Sequence, residues 1–226
     1  MSGRASATTQ DSNASTKTVT DHAPVTLNSS PPAAVGTRIR HSAALFFAFL
    51  GFYLLTASGH FYAVDEETLY VQAESIVERG TIAVPRGAWG MVLSPGSIDS
   101  DGPAYSIFPP GQSVAALPFY LLGRLVVPAF PEGQRGFVLR LAVGLLNPLV
   151  TAATVALLYA FVRRLGYRGA VAAGLAAIYG VATLGWPYSR TFFAEPLTAL
   201  LLLGGLYALR RGTELNVERS TLGISI

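Results

Sequence analysis

An all-α polytopic membrane protein, with about four transmembrane helices and interfacial helices in a long first external loop, is the fold class this sequence predicts. Three observations carry the prediction. Of the 226 residues 51% are hydrophobic and only 13% are charged, a balance typical of chains that place apolar surface in lipid. The apolar residues gather into runs near the roughly 20 residues a helix needs to cross a bilayer. Basic residues stand at the ends of those runs, where they mark orientation: Arg38, Arg40 and His41 before the first, Arg163, Arg164 and Arg168 after another, Arg210 and Arg211 after the last. Basic residues spread in this way leave no nucleic-acid footprint. The chain has no cysteine, which excludes disulfides, thiolate metal sites and thiol nucleophiles.

Residues 1–37, rich in Ser, Thr, Ala and Pro without apolar periodicity, read as a disordered cytoplasmic tail, because such a tract buries too little surface to offset chain ordering. The first apolar run begins only after Arg40, too late for the n-region of a signal peptide, so 42–61 is an uncleaved first span. Phe46, Phe47, Phe49, Phe52 and Tyr53 give it an aromatic face. The region 62–136 follows as the external loop. Its first part predicts a helix: Asp65 can cap, Glu66 and Glu67 fall in the first turn where the dipole favours acids, Leu69, Ala73, Ile76 and Val77 form a stripe, and Gly80 is a stop. The Gly, Pro, Ser and Asp of 85–110 predict irregular chain. Asp99 and Asp101 have a spacing seen in calcium loops, but the rest of that ligand series is missing and a turn is expected.

Three further spans complete the expectation, at 137–162, 168–186 and 191–209, with 212–226 a polar cytoplasmic tail. The Gly and Ala of 168–186 suit close helix packing. The run at 112–130 would make a fifth span, and the charge rule argues against it: four spans keep Arg163, Arg164, Arg168, Arg210 and Arg211 inside with the N-terminus, whereas five would move all of them outside. Pro109, Pro110, Pro118 and Pro128 also punctuate that run. Residues 111–125 are therefore expected as a helix in the outer interface, anchored by Phe119 and Tyr120. The same accounting puts Asp65 and Glu195 on one, outer side of a multi-pass protein of the plasma membrane.

The order of motifs carries a resemblance. A first span is followed by D-E-x-x-x-Y at Asp65, a Gly-rich loop, and Y-S-I-F-P-P-G-Q-S ahead of the interfacial helix. A span ending in R-R-L-G comes next, and then W-P-Y-S-R-T-F-F-A-E-P-L opens another. This resembles the amino-terminal part of membrane glycosyltransferases of the GT-C fold, a class that includes protein O-mannosyltransferases and lipid A aminoarabinose transferases. The resemblance covers roughly 40–211. It implies a sugar donor on a polyprenyl phosphate, used on the outer face, and an acceptor that is protein, lipid or glycan. It implies a catalytic base at Asp65, with Glu66 as its neighbouring candidate, and a second acid at Glu195. The class often carries a basic residue ahead of the paired prolines; Ile107 and Phe108 stand there instead, which leaves one donor phosphate contact without its residue.

Such transfer needs a base for the acceptor hydroxyl, stabilisation of the leaving phosphate and exclusion of water. Asp65 could take the proton, with inversion at the sugar carbon. Positive charge for the phosphate could come from Arg140, Arg190 or a divalent cation held by Asp65 and Glu195. Arg140, one turn into an apolar span, either binds phosphate or snorkels. The plainer readings stand beside these: Asp65, Glu66, Glu67 and Glu195 as helix-start acids, Trp186 and Tyr188 as an aromatic belt, His60 as a solvated interfacial histidine rather than a metal ligand with Asp65. No P-loop, G-x-S-x-G or H-E-x-x-H pattern occurs.

The resembled class has more spans than four. The chain is accordingly read as the front portion of a truncated or frame-shifted transferase. The alternative is a non-catalytic four-span scaffold or assembly subunit, which would tolerate loss of Asp65 and Glu195. A transporter fits least, since ionisable residues within the spans are almost confined to Arg140.

Overall fold

A computed structural model of the chain describes residues 33–85, 92–93 and 103–221. The chain is mostly helical, and three stretches, Gly36–Leu55, Gly111–Ala129 and Glu132–Arg164, are long and apolar enough to cross a membrane. The expected disorder of the N-terminal tail lies outside the described residues up to position 32, as does the expected turn at Asp99 and Asp101. Residues 33–37 are already helical.

Helix α1 (Ala33–Leu55) stops short of the expected end at 61. Thr56 Oγ1 donates to Phe52 O (3.0 Å), and Gly59 adopts φ +72°, a left-handed conformation that ends the helix and turns the chain. Helix α2 (Val64–Arg79) stops at Gly80 as expected, with φ +66° and its N–H on Ser75 O. Its start differs. Ala63 is the N-cap, Asp65 lies inside the first turn, and the reach back to the Ala63 N–H is made by Glu66. A small antiparallel sheet forms from β1 (Ala83–Val84), just ahead of the stretch expected to be irregular, and from β2 (Val92–Leu93) and β3 (Ala104–Ser106) within it, with β3 central.

Helix α3 (Gly111–Val126) packs on α2, and Ser113 Oγ donates to Leu69 O (2.8 Å). With the turn that follows it, the stretch Gly111–Ala129 is long and apolar enough to cross a membrane, where the charge rule leads to a helix in the interface. The expected span 137–162 is two segments, α4 (Glu132–Gly144) and α5 (Leu146–Arg164), meeting at Leu145. Pro148 is the cause: it has no N–H to give to Gly144 O, and its ring crowds that carbonyl.

Helix α6 (Gly169–Ala182) has 14 residues, about 21 Å of rise against a hydrocarbon core of about 30 Å. The expected span 168–186 breaks at Thr183, which is extended; its Oγ1 donates to Tyr179 O (2.6 Å) and accepts from Gly185 N (3.1 Å). The short α7 (Gly185–Ser189) and the turn 190–194 follow. Helix α8 (Glu195–Thr221) then begins four residues later than the span expected from 191 and continues into the expected polar tail as far as Thr221. Glu214 explains part of that extension, because it pairs with Arg210 on α8 (3.2 Å) and Arg164 on α5 (2.6 Å).

Two apolar clusters hold the helices. One joins Leu69, Tyr70, Tyr120, Val143, Leu146 and Phe192 across α2, α3, α4, α5 and the 190–194 turn. The other joins Val155, Tyr159, Val162, Ala172 and Ala176, with Leu45 and Phe49 of α1 packed on it. Tyr53 is fully buried and donates to Gly180 O (2.9 Å). A Cβ added at Gly180 would fall within the Phe49 ring, so α1 and α6 touch through a residue without a side chain. Gly180→Ala is expected to destabilise the chain by about 1–3 kcal/mol. Thermal unfolding in micelles checks this, and adding Phe49→Leu should restore most of the loss.

Candidate functional site

The turn 190–194 is the hinge of the site, and two buried polar side chains fix it. Glu66 is 0% exposed. Its Oε1 accepts the N–H groups of Tyr62 (3.0 Å) and Ala63 (3.2 Å), and its Oε2 accepts the N–H of Phe192 (2.7 Å). One carboxylate thus ties the entry to α2 to the entry to α8 with charge-assisted bonds. Asn147 on α5 works from the other side. Its Nδ2 donates to Thr191 O (2.7 Å) and Phe193 O (2.8 Å), and its Oδ1 accepts from Gln112 Nε2 (2.9 Å). The carbonyls fix which end of the Asn147 amide donates, and this in turn fixes Gln112 with its oxygen pointing away from Asn147. That Gln112 Oε1 is buried without a partner.

With the turn held, Asp65 on α2 and Glu195 at the start of α8 line one groove of about 440 Å³. Gln112, Phe108, Phe193, Leu197, Thr198 and Leu201 are also in its wall. Asp65 is half-buried and Glu195 exposed. Neither carboxylate has a hydrogen-bond or ion-pair partner among the described residues. The groove therefore offers two free acids on a mainly apolar wall, and among the described residues no basic side chain lines it. Such a site can take a proton from a hydroxyl and hold an apolar chain.

The other expected site residues have different surroundings. Glu66 exposes no surface, and its bonds make it a positioning residue. Glu67 is paired in bidentate fashion with Arg140, whose Nε lies 3.0 and 3.2 Å from the two carboxylate oxygens. The same guanidinium sits 4.6 Å from the centre of the Tyr70 ring. Neither snorkelling nor phosphate binding is needed to account for Arg140; an ion pair to Glu67 on α2 already does so. Burial, and then the nearby Glu74 carboxylate, push the Tyr70 phenol above its ordinary range, so it stays a hydrogen-bond donor beside this pair.

Arg140 and Arg190 do meet, together with His60, in the lining of a second cavity of about 30 Å³. That is the room of a single water. Arg190 is exposed, and its carbonyl accepts from Ser58 Oγ (2.8 Å). His60 Nδ1 lies 3.0 Å from Ser58 O, and His60 and Asp65 line different cavities. Trp186 Nε1 donates to Thr56 Oγ1 (3.2 Å), which adds a tie between α1 and α7 to its expected interfacial place.

A divalent cation in the groove would have two carboxylates, Asp65 and Glu195. Among the described residues no group of three or more His, Cys, Asp or Glu gathers to hold a metal, so no step of the chemistry is routed through one.

Asn147, Gln112 and Phe192 were not legible as site residues. A signal existed for the first: Asn followed by Pro in the middle of an apolar run is a polar side chain that must find partners and a backbone that must bend. Comparison of the chain with protein-family models, curated proteins and solved structures finds no match.

Proposed function

We propose that the chain acts as a GT-C-like membrane glycosyltransferase, moving a sugar from a polyprenyl phosphate to an acceptor hydroxyl on the outer face of the membrane. One observation carries the reading: Asp65 and Glu195, far apart in sequence, are unpaired carboxylates on one partly apolar groove. In the proposed reaction the acceptor oxygen attacks the anomeric carbon as the bond to the phosphate oxygen breaks. The electron pair of that bond leaves with the phosphate, the acceptor proton goes to Asp65, and the sugar carbon inverts. Glu195 orients the sugar hydroxyls, and Phe108, Leu197 and Leu201 receive the polyprenyl chain. Arg190, which lines the neighbouring small cavity rather than this groove, is assigned to the leaving phosphate, since Arg140 is engaged by Glu67. The N-terminus is cytoplasmic in this reading and the membrane is the plasma membrane.

The test is transfer of labelled sugar from a polyprenyl phosphate by the purified full chain. Transfer is expected, and Asp65→Asn should lower it by about 10²–10⁴-fold without changing the unfolding midpoint. No transfer, or equal transfer by Asp65→Asn, would overturn the reading. A non-catalytic scaffold or assembly subunit would then stand, favoured by the structural use already made of Glu66 and Glu67.

A further inference from the structure

The opposite end of the helix bundle carries a second arrangement of charge and apolar surface, and it does not depend on the transferase reading. His41 of α1 stands edge-on to Tyr159 of α5, with ring centres 6.2 Å apart. Phe61, beyond the other end of α1, lies against Gly144, so α1 and α5 run antiparallel. One turn beyond the His41–Tyr159 contact, that geometry brings Arg38 of α1 and Arg163 of α5 to the same end. The Nε atoms of both arginines are buried and have no hydrogen-bond partner among the described residues. Arg163 uses another nitrogen on Tyr167 O (2.5 Å).

Helix α6 starts at this end as well. A Cβ at its first residue, Gly169, would lie 4.0 Å from the Tyr159 hydroxyl. Its N-cap is Arg168, with no side-chain cap and no acid in the first turn, so its free N–H groups and positive dipole end are uncompensated. Among the described residues the carboxylate at the adjoining part of α8, Glu214, is already held by Arg164 and Arg210. About one turn farther in, a groove of about 600 Å³ opens between α1 and α6, lined by His41, Ala44, Leu45, Ala48, Tyr159 and Ala173 among others and not by the arginines themselves.

Two partly buried guanidinium groups without an ion-pair partner among the described residues, beside an uncapped helix start, favour an anion. An apolar groove leading from them into the bundle asks for a hydrocarbon chain. We propose that this end of the bundle binds one anionic phospholipid, its phosphate on Arg38, Arg163 and the start of α6, and one acyl chain in the groove between α1 and α6. The anion is held by the accessible parts of the two guanidinium groups and the N–H groups at the start of α6, and the chain covers apolar wall left open between the two helices.

Native mass spectrometry of the purified full chain, titrated with phosphatidylglycerol or phosphatidylcholine of the same acyl chains, tests the proposal without any substitution. One phosphatidylglycerol should be retained at least about tenfold more tightly than phosphatidylcholine. The double variant Arg38→Gln, Arg163→Gln should remove that preference. Ala44→Leu, which narrows the groove and leaves the charges in place, should weaken both lipids. Arg211→Gln, at an exposed position on α8, should change nothing. Equal retention of the two lipids by the unmodified chain would overturn the proposal. A preference that survives Arg38→Gln, Arg163→Gln and Ala44→Leu would do so too.

Discussion

Replacing Glu66 with alanine is expected to destabilise the fold by about 3–5 kcal/mol, the largest effect of any single carboxylate in the chain. Three backbone N–H groups, from Tyr62, Ala63 and Phe192, end on this one side chain. Each bond to a charged acceptor contributes about 1.5–3 kcal/mol, and the sum is discounted because Tyr62 is exposed and its N–H can turn to water. Glu66→Gln separates charge from shape. The amide keeps one oxygen, enough for the pair at Tyr62 and Ala63, but turns an NH₂ group toward the Phe192 N–H, so a loss of about 2–3 kcal/mol is expected. Unfolding of both variants in micelles checks the order. A variant of Glu66 with unchanged stability and abolished sugar transfer would instead return it to the role of a base.

The second large effect is expected at Asn147. Its amide serves Thr191 O, Phe193 O and Gln112 Nε2 at once, and it is fully buried. Asn147→Ala leaves two carbonyls without partners and the Gln112 amide with only a long bond to Phe192 O (3.5 Å), a loss of about 2–4 kcal/mol. Asn147→Asp is expected to be at least as damaging at neutral pH, because it sets a second oxygen against two carbonyl oxygens. Hydrogen exchange gives the more specific reading: the Phe192 N–H should exchange faster in both variants, since the turn that presents it to Glu66 is released. Glu66 and Asn147 hold the same five residues from opposite sides. Their losses should therefore not add, and the double variant should fall short of the sum.

Much of the helical framework was legible because it follows from apolar runs and their punctuation. Gly80 as the stop of α2 and the buried Leu69 and Ala73 on its stripe come directly from the spacing of side chains on a helix. Helix ends set by side-chain bonds over long sequence distances were less legible. Glu195 and Pro196 are start signals for α8, but a count of apolar residues runs past them to 191; what holds the preceding turn out of the helix is the grip of Glu66 and Asn147. The break of 137–162 into α4 and α5 was available in Pro148, and that of 168–186 in Thr183 and Pro187, but a count of apolar residues ignores both. At the site, the acids at 65 and 195 could be named from their places at helix starts, and they do share a groove. Which of the three neighbouring acids faces it depends on α2 beginning at Val64 rather than Asp65, a shift that turns Glu66 inward and Glu67 toward Arg140.

The central claim is that the groove between Asp65 and Glu195 receives a polyprenyl-phosphate sugar, and occupancy can be read without turnover. The chain has no cysteine, so Thr198→Cys places a single thiol in the groove wall and Arg211→Cys a control on α8 outside it. The rate of maleimide labelling at each is measured with and without a polyprenyl-phosphate sugar. The account predicts slower labelling at position 198, saturating with donor, and an unchanged rate at 211. An unchanged rate at 198 at every donor concentration would contradict it.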